Sequence, residues 1–139
     1  TIPVPMGPAL DGLDTTVTRV ESLPPGTERP AAGGGVVRHW FETLEGTADT
    51  LIQTTDDSPV LVASDTKHYL GGWPDDMLWD RIVVMLADKA GIDVLDLPPG
   101  VRVRDTGTHR FYFNYGPEAV EVEGNTLAPA GVRWAPRSD

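Results

Sequence analysis

The sequence predicts a fold between α/β and mainly β, with one main helix in its first part and a small antiparallel β domain at its end. Only residues 75–90 repeat apolar side chains at the spacing of a helix. The other apolar segments are short, rich in β-branched or aromatic residues and separated by Gly, Pro and Asn, which is typical of strands and turns. A Pro-Pro-Gly turn at residues 98–100 divides the chain into residues 1–97 and 98–139.

Five strands are predicted before the helix. Residues 1–15 precede them and are expected to be extended or irregular, because three prolines exclude a helix there. The strands are expected at residues 16–23, 36–44, 50–54, 59–64 and 67–70. The nearly continuous apolar run at 59–64 is typical of a strand buried in a mixed or parallel sheet, and residues 67–70 pair back on it as a hairpin.

Glycine occurs in two places that the strand pattern does not explain. Gly33-Gly34-Gly35 leads into a strand and lacks the lysine of a phosphate-binding loop, so we interpret it as slack. Gly71-Gly72 stands between the last strand and the helix, and we interpret it as a hinge.

The helix is expected to run from Pro74 or Asp75 to Ala90. Proline suits the first helical position, and the aspartates of the first turn face the positive end of the helix dipole. Gly91 can adopt the left-handed conformation that closes a helix. The apolar face of the helix is expected to be buried against a sheet. It comprises Leu78, Ile82, Met85 and Leu86, and is widened by Trp79, Val83 and Ala90.

After residue 100 the pattern is that of short strands alone. They are expected at residues 101–104, 109–115, 119–123 and 131–135, as an antiparallel meander or partly open barrel. Alternation places Phe111, Phe113 and Tyr115 on one face of the second of these strands. The other face carries Arg110, Tyr112 and Asn114. So few strands cannot cover that aromatic face from within, so we expect it to pack on the helix-bearing part.

Composition excludes several classes of function. The chain has 139 residues and a formal net charge of -10, which argues against nucleic acid or an anionic membrane as a partner. It contains no cysteine, hence no disulfide, thiolate metal site or cysteine nucleophile. No apolar run is long enough for a membrane span and no signal sequence opens the chain, so a cytoplasmic location is expected. The proline-spaced opening, residues 1–8, suggests a piece cut from a longer protein.

The side chains that could carry chemistry are not arranged for it. His39, His68 and His109 are far apart in sequence and share no metal-ligand spacing. A glycosidase needs two carboxylates facing each other across a sugar, and no glutamate pair here is marked out by its sequence environment. The glutamates considered are Glu42, Glu45, Glu118, Glu121 and Glu123. We therefore assign no catalytic, cofactor-binding or metal-binding residue.

The aromatic residues are better candidates for contacts than for catalysis. Tryptophans at 40, 73, 79 and 134 could stack on sugar rings, but aromatics on separate elements more often anchor a core or an interface. Trp73, beside the glycine pair, is the main interface candidate. The further interface or structural candidates are Tyr69, Phe111, Phe113 and Tyr115.

Two motifs together carry a resemblance to a known family. The first is Tyr-Leu-Gly-Gly-Trp-Pro-Asp at residues 69–75 followed by a leucine-rich helix, and the second is Phe-Tyr-Phe-Asn-Tyr-Gly-Pro-Glu at 111–118. The chain resembles the C-terminal end of the β-galactosidases of glycoside hydrolase family forty-two. Residues 17–25 and 36–42 are similar to the middle of that family's trimerisation domain, so the resemblance covers nearly the whole chain.

The resemblance implies an architecture. Residues 1–97 would be the C-terminal portion of an amidotransferase-like (flavodoxin-like) trimerisation domain, and residues 98–139 a small antiparallel β domain. A domain cut in this way would leave Val60, Leu61 and Val62 in a sheet that lacks a strand.

It also implies a function for the intact enzyme. That enzyme would be a homotrimer that hydrolyses terminal β-D-galactosides with retention, using glutamates of a TIM barrel that this chain lacks. The chain alone is expected to be inactive and to serve assembly and structural support, with the barrel as its partner and no cofactor. The alternative is a free-standing sugar-binding or protein-binding β module.

Overall fold

The computed structural model describes residues 7–8 and 10–137, which form twelve strands and one helix. Their contacts divide the chain into two units, Thr1–Ile92 and Asp93–Asp139. The expected division at 97/98 lies a few residues later. Residues 1–6 and 9 of the segment expected to be extended or irregular lie outside the described residues, and the first strand already begins at Thr15.

The first unit contains seven strands and the helix. They are β1 (Thr15–Ser22), β2 (Arg29–Pro30), β3 (Val36–Gly46), β4 (Asp49–Gln53), β5 (Pro59–Ser64), β6 (Lys67–Leu70), β7 (Gly72–Pro74) and α1 (Asp76–Lys89). Strand β3 pairs with β1, β2 and β7, while β4, β5 and β6 form a second sheet in that order. The expected positions of β5 and β6 and their hairpin pairing are confirmed.

The mainly β class with one helix is confirmed, but the expected parallel or mixed sheet is wrong. Every pairing among the described strands is antiparallel. An apolar run such as that of β5 shows that both faces of a strand are covered, but it does not reveal the direction of its neighbours. The assignment of this unit to the end of a flavodoxin-like domain therefore stays a proposal.

Strand β5 has a hydrogen-bonded neighbour on each side, β4 and β6. Val60, Leu61 and Val62 therefore do not lie on an edge strand, and the expectation that their sheet lacks a further strand stays a prediction. These side chains are buried in two apolar clusters: Val60 and Leu61 pack with Leu78 of the helix, and Val62 packs with Val17.

The N-terminus of α1 is capped by Asp75, whose Oδ1 accepts a hydrogen bond from the Leu78 N–H at 2.9 Å. Pro74 lies in β7 and precedes the cap, so the expectation that it is the first helical residue is wrong. At the other end Gly91 has a φ of 65°, as expected, and the Ile92 N–H donates to the Ala87 carbonyl at 2.9 Å. This bond, from the second residue beyond the C-cap back to the last turn of the helix, closes the helix with a Schellman motif.

The buried stripe of α1 is narrower than its sequence suggests. Leu78 and Ile82 are buried, and Met85 and Leu86 pack against them while partly exposed. The expected widening by Trp79, Val83 and Ala90 is wrong, because all three are exposed. The helix lies against β3 and β7, and its two buried side chains pack in a core with Phe41 of β3 and Val60 of β5.

Both glycine segments are closely packed, so neither serves as slack or as a hinge. Gly35 has a φ of 80°, and a Cβ there would lie 2.7 Å from the Leu78 Cβ. A Cβ on Gly72 would lie 2.5 Å from the Val37 Cγ1. Each glycine therefore allows the backbone to approach a neighbouring element more closely than a larger residue would.

The second unit is a three-stranded sheet with a separate hairpin. Its strands are β8 (Val101–Asp105), β9 (His109–Asn114), β10 (Val120–Val122), β11 (Asn125–Leu127) and β12 (Val132–Pro136). The sheet has the order β12-β9-β8, and β10 pairs with β11. One face of β9 packs into a core comprising Val101, Tyr112, Val122 and Leu127.

Asn114 ties the irregular segments of the second unit together. Its side chain is buried, and its Nδ2 donates to the Glu118 carbonyl at 2.7 Å and to the Ala128 carbonyl at 3.0 Å. Its Oδ1 accepts from the Gly116 N–H at 2.8 Å. The Asn-Tyr-Gly-Pro motif is therefore a structural element that joins β9 to the chain around the hairpin.

Candidate functional site

Three of the four tryptophans meet in one groove of the first unit, which we call the tryptophan groove. It is lined by Trp40 of β3, Trp73 of β7 and Trp79 of α1, together with Leu70, Gly72, Pro74 and Asp76. The groove has a volume of about 480 Å³. The tryptophans are 37%, 48% and 51% exposed, so much of their ring surface faces solvent.

An irregularity of β3 creates this groove. The register between β3 and β7 shifts between Arg38 and Phe41, and His39 within the bulge has a φ of 67°. The bulge presents Trp40 beside Trp73, with ring centroids 5.2 Å apart at an interplanar angle of 64°. This is the edge-to-face arrangement that aromatic pairs favour, and it fixes two of the three rings.

The rim of the groove carries charge. The Asp76 side chain is fully exposed, and the Arg38 Nη2 lies 3.9 Å from its Oδ1. Desolvation opposes ionisation of the neighbouring Asp75, but hydrogen bonds from the Leu78 and Val36 N–H groups and the charge of Arg38 hold its pKa below the ordinary value. An aromatic floor with a charged rim is suited to binding a partner or ligand.

Tyr69 lies outside this groove and is partly buried. Its hydroxyl donates to the Glu42 Oε2 at 2.5 Å, and its ring packs with the cluster of Val17, Leu44 and Val62. Burial, and then the bond to Glu42, raises the pKa of Tyr69 well above its usual range. The contact is structural, and Glu42 is occupied by it.

The outward face of the second unit is the other aromatic surface. The rings of Phe111 and Phe113 lie 6.4 Å apart at 21°, and those of Phe113 and Tyr115 lie 6.3 Å apart at 22°. Neighbouring strands add Trp134 opposite Phe111, Arg104 on the other side of Phe111, and Arg102 beside Phe113. We call these residues the arginine–aromatic face; it comprises Arg102, Arg104, Phe111, Phe113, Tyr115 and Trp134.

The alternation expected in β9 is confirmed, since Phe111, Phe113 and Tyr115 stack on one face while Tyr112 is buried on the other. Sequence reasoning did not single out the two arginines of this face. The alternating Val-Arg-Val-Arg of β8 carried the signal for them. The interface roles of Tyr69, Trp73 and the three β9 aromatics stay predictions.

The other polar candidates make local contacts. The Glu123 Oε2 accepts from the Tyr112 hydroxyl at 2.5 Å, and the Glu45 Oε1 accepts from the Thr18 hydroxyl at 3.3 Å. His109 packs edge-on against Trp134 with ring centroids 5.1 Å apart. Within the described residues, no group of three or more His, Cys, Asp or Glu could hold a metal ion. No helix in the same part of the chain is long and apolar enough to cross a membrane.

Known proteins with similar sequences share one name. The chain is 41% identical over 122 residues to a β-galactosidase of Thermus thermophilus. That match covers 86% of this chain and 19% of the relative. It is 36% identical over 137 residues to β-galactosidase BgaA of a Thermus species, covering 94% of this chain and 20% of that protein. This chain belongs to the family of these β-galactosidases. No family model matches it.

Solved structures of β-galactosidases agree with this membership. The enzyme from the psychrophilic Marinomonas ef1 superposes with a TM-score of 0.78 at 31% identity, over 86% of this chain and 20% of that one. The enzyme from the haloarchaeon Halorubrum lacusprofundi also superposes with a TM-score of 0.78, at 25% identity. That match covers 97% of this chain and 24% of the other. Gan42B of G. stearothermophilus, a GH42 β-galactosidase, shares the fold with a TM-score of 0.69 at 16% identity. That match covers 91% of this chain and 24% of the other.

The chain spans about a fifth of the length of the curated relatives that it matches. The resemblance drawn from the two motifs is therefore confirmed, and the span is consistent with the C-terminal part of such a β-galactosidase. Both motifs lie at the surfaces described above: the Gly-Gly-Trp-Pro segment at the tryptophan groove, and the Phe-Tyr-Phe-Asn-Tyr segment at the arginine–aromatic face.

Proposed function

We propose that this chain is the non-catalytic C-terminal portion of a β-galactosidase that hydrolyses terminal β-D-galactosides with retention. In this proposal the chain serves assembly and structural support, and its partner is the TIM-barrel portion that carries the catalytic glutamates. The observation that carries the proposal is the match to β-galactosidases along most of this chain but only a fifth of their length.

The side chains support a non-catalytic role. A retaining glycosidase needs two carboxyl groups about 5–5.5 Å apart on either side of the sugar bond. Glu42, Glu45 and Glu123 are instead held by hydroxyl groups of neighbouring strands or hairpins, which suits structural use. We expect neither a cofactor nor a metal to take part.

The exposed aromatic surfaces support assembly. Exposed patches of large apolar side chains mark interaction sites, and tryptophan, tyrosine and arginine are enriched among the residues that dominate binding energy. The tryptophan groove and the arginine–aromatic face both have this composition. In the intact enzyme we propose a cytoplasmic homotrimer in which Trp73 lies at a contact.

The proposal is tested by activity and binding measured together. The purified chain should not turn over a chromogenic β-galactoside, and it should co-elute with the barrel-bearing portion of the Thermus thermophilus relative. The variants Glu42→Gln and Glu45→Gln each remove one carboxylate and show whether any turnover depends on it. Turnover by the chain alone that either variant abolished would contradict the non-catalytic role, and failure to bind the barrel portion would contradict the assembly role.

A free-standing sugar-binding module is the second candidate, and the tryptophan groove is the observation that favours it. Sugars stack on exposed tryptophan rings and bond to charged groups at the rim, as Asp76 and Arg38 could provide. Titration with lactose, followed by tryptophan fluorescence, distinguishes the candidates. A saturable change that Trp73→Ala abolished and Trp134→Phe preserved would favour the sugar-binding module over assembly.

A further inference from the structure

We propose that the tryptophan groove binds a small zwitterion in which a trimethylammonium group is joined to a carboxylate, as in glycine betaine. This site goes beyond the function proposed above, since it needs neither the barrel-bearing portion nor a sugar. The ammonium group lies among the three tryptophan rings, beside Asp76, and the carboxylate of the ligand pairs with Arg38.

The tryptophan rings are placed as walls around an open space. Trp40 and Trp73 meet at an interplanar angle of 64°, so they form a corner. Within the described part of the chain, Trp79 makes no ring contact with either of them, and the groove lies between it and that corner. The groove volume falls within the range of small-molecule sites, roughly 300–1,000 Å³. Aromatic walls on several sides of a cavity are the arrangement that recognises quaternary ammonium groups.

Trp73 is held in place before a ligand arrives. Its ring packs edge-on against Trp40, with 5.2 Å between centroids, and against His39, with 6.2 Å. Trp73 is nevertheless 48% exposed, so ring surface remains for a ligand. A side chain that is already fixed loses little conformational entropy on binding, and for that reason the groove is preorganised.

Two opposite charges at the rim match the two ends of such a ligand. Arg38 lies directly opposite Trp73 in the register of β3 and β7, so both side chains leave the same face of the sheet. The Arg38 Nη2 lies 3.9 Å from the Asp76 Oδ1, which is too far for a hydrogen bond. Among the described residues, the buried Arg38 Nε has no hydrogen-bond partner either. The carboxylate and the guanidinium therefore both keep capacity to bind a ligand.

A zwitterion suits this rim better than a ligand of a single charge. A simple ammonium ion is attracted by Asp76 but repelled by Arg38, and for a simple carboxylate the two effects are reversed. A neutral sugar stacks on the rings but gains no attraction between a cation and a ring face. Charge complementarity therefore selects a molecule that carries both charges close together.

The first measurement is a titration of the chain with glycine betaine, followed by tryptophan fluorescence in about 0.5 M salt, which screens long-range charge effects. We expect a saturable change with a dissociation constant on the order of 1 mM or lower. The matched ligand is the tert-butyl analogue of betaine, in which carbon replaces the ammonium nitrogen and the shape is kept. It should bind at least about tenfold more weakly, because the uncharged carbon is not attracted to the ring faces.

Substitutions in the groove identify the site. Trp73→Ala and Asp76→Asn should each weaken betaine binding at least about fivefold, because the first removes a wall and the second removes the facing charge. Asp80→Asn is the matched control, since it removes the same charge from an exposed position of the same helix outside the groove, and it should preserve binding. Trp134→Phe, in the second unit, should also preserve binding. Circular dichroism and melting temperature confirm that each variant is folded.

Arg38→Gln separates the two ends of the ligand. It should weaken betaine binding at least about threefold, because the carboxylate loses its partner. Tetramethylammonium has no carboxylate, so this variant should bind it as tightly as the unmodified chain does, or more tightly. Equal weakening of both ligands would contradict the role assigned to Arg38.

The absence of a saturable change with betaine would overturn the inference. Equal binding of the tert-butyl analogue would also overturn it, because the groove would then recognise only apolar shape. So would betaine binding that survives Trp73→Ala. None of these ligands is a sugar, so the result is independent of the lactose titration and of co-elution with the barrel-bearing portion.

Discussion

The Asp75 Oδ1 accepts a hydrogen bond from the Val36 N–H at 3.0 Å, and the Asp75 N–H in turn donates to the Val36 carbonyl at 2.9 Å. The same oxygen caps α1 through the Leu78 N–H. One carboxylate thus joins the start of the helix to the start of β3, and both elements contribute to the tryptophan groove.

Replacing this carboxylate should destabilise the first unit at neutral pH. Asp75→Ala removes a helix cap and a bond to β3, and we expect a loss of about 1–2 kcal/mol in the free energy of unfolding. Because the folded state lowers the pKa of Asp75, its contribution is present above the unfolded pKa and is lost as pH falls through the folded pKa. Urea unfolding at neutral and acidic pH measures both effects. A difference between wild type and Asp75→Asn that did not shrink in acid would contradict this.

Leu78 should contribute more to stability than any other residue of α1. It is fully buried in the core with Phe41 and Val60, so Leu78→Ala should cost about 2–5 kcal/mol. Leu86 is partly exposed, and the same truncation there should cost less. Asp80→Ala on the exposed side should change stability by less than about 0.5 kcal/mol. Denaturation of the three variants ranks them, and equal losses at positions 78 and 86 would contradict the orientation of the helix.

Two glycines with nearly the same positive φ separate conformational strain from steric conflict. Gly35 and Gly26 have φ of 80° and 82°, but a Cβ at Gly35 meets Leu78 whereas one at Gly26 meets nothing within 4 Å. Gly26→Ala should therefore cost about 1–2 kcal/mol from the left-handed backbone alone. Gly35→Ala should cost about 1–3 kcal/mol more because the core must move. Thermal melts of both variants test this, and equal costs would contradict the close packing of Gly35.

Asn114 should stabilise the second unit through its buried hydrogen bonds. Asn114→Ala removes the hydrogen bonds of its side chain to the Gly116 N–H and the Glu118 carbonyl, and each lost bond costs about 0.5–1.5 kcal/mol. Asn125 is the control, because its exposed Nδ2 also donates to a backbone carbonyl, that of Glu123, at 2.8 Å. Asn125→Ala should cost less than about 1 kcal/mol. Amide hydrogen exchange in residues 101–136 reports the loss, and similar protection in both variants would contradict it.

The sequence alone determined what depends on neighbouring residues along the chain. The hairpin of residues 59–64 and 67–70, the left-handed Gly91 and the alternation of Phe111 and Tyr112 were all predictable. Each follows from a local rule: the period of two in a strand, the need for a residue without a Cβ at a positive φ, or the turn residues between strands. The two family motifs were local in the same sense.

Tertiary structure decided which elements meet. A period of side chains shows that one face is apolar, but not which strand lies beside it, so the pairing of β4 with β5 and the exposure of Trp79 could not be predicted. The tryptophan groove depends on the bulge of β3 and on Gly72, which let β7 pack tightly against β3. Contacts between distant segments arise from the packing of the whole unit, and for that reason only the folded chain brings Trp40, Trp73 and Trp79 together.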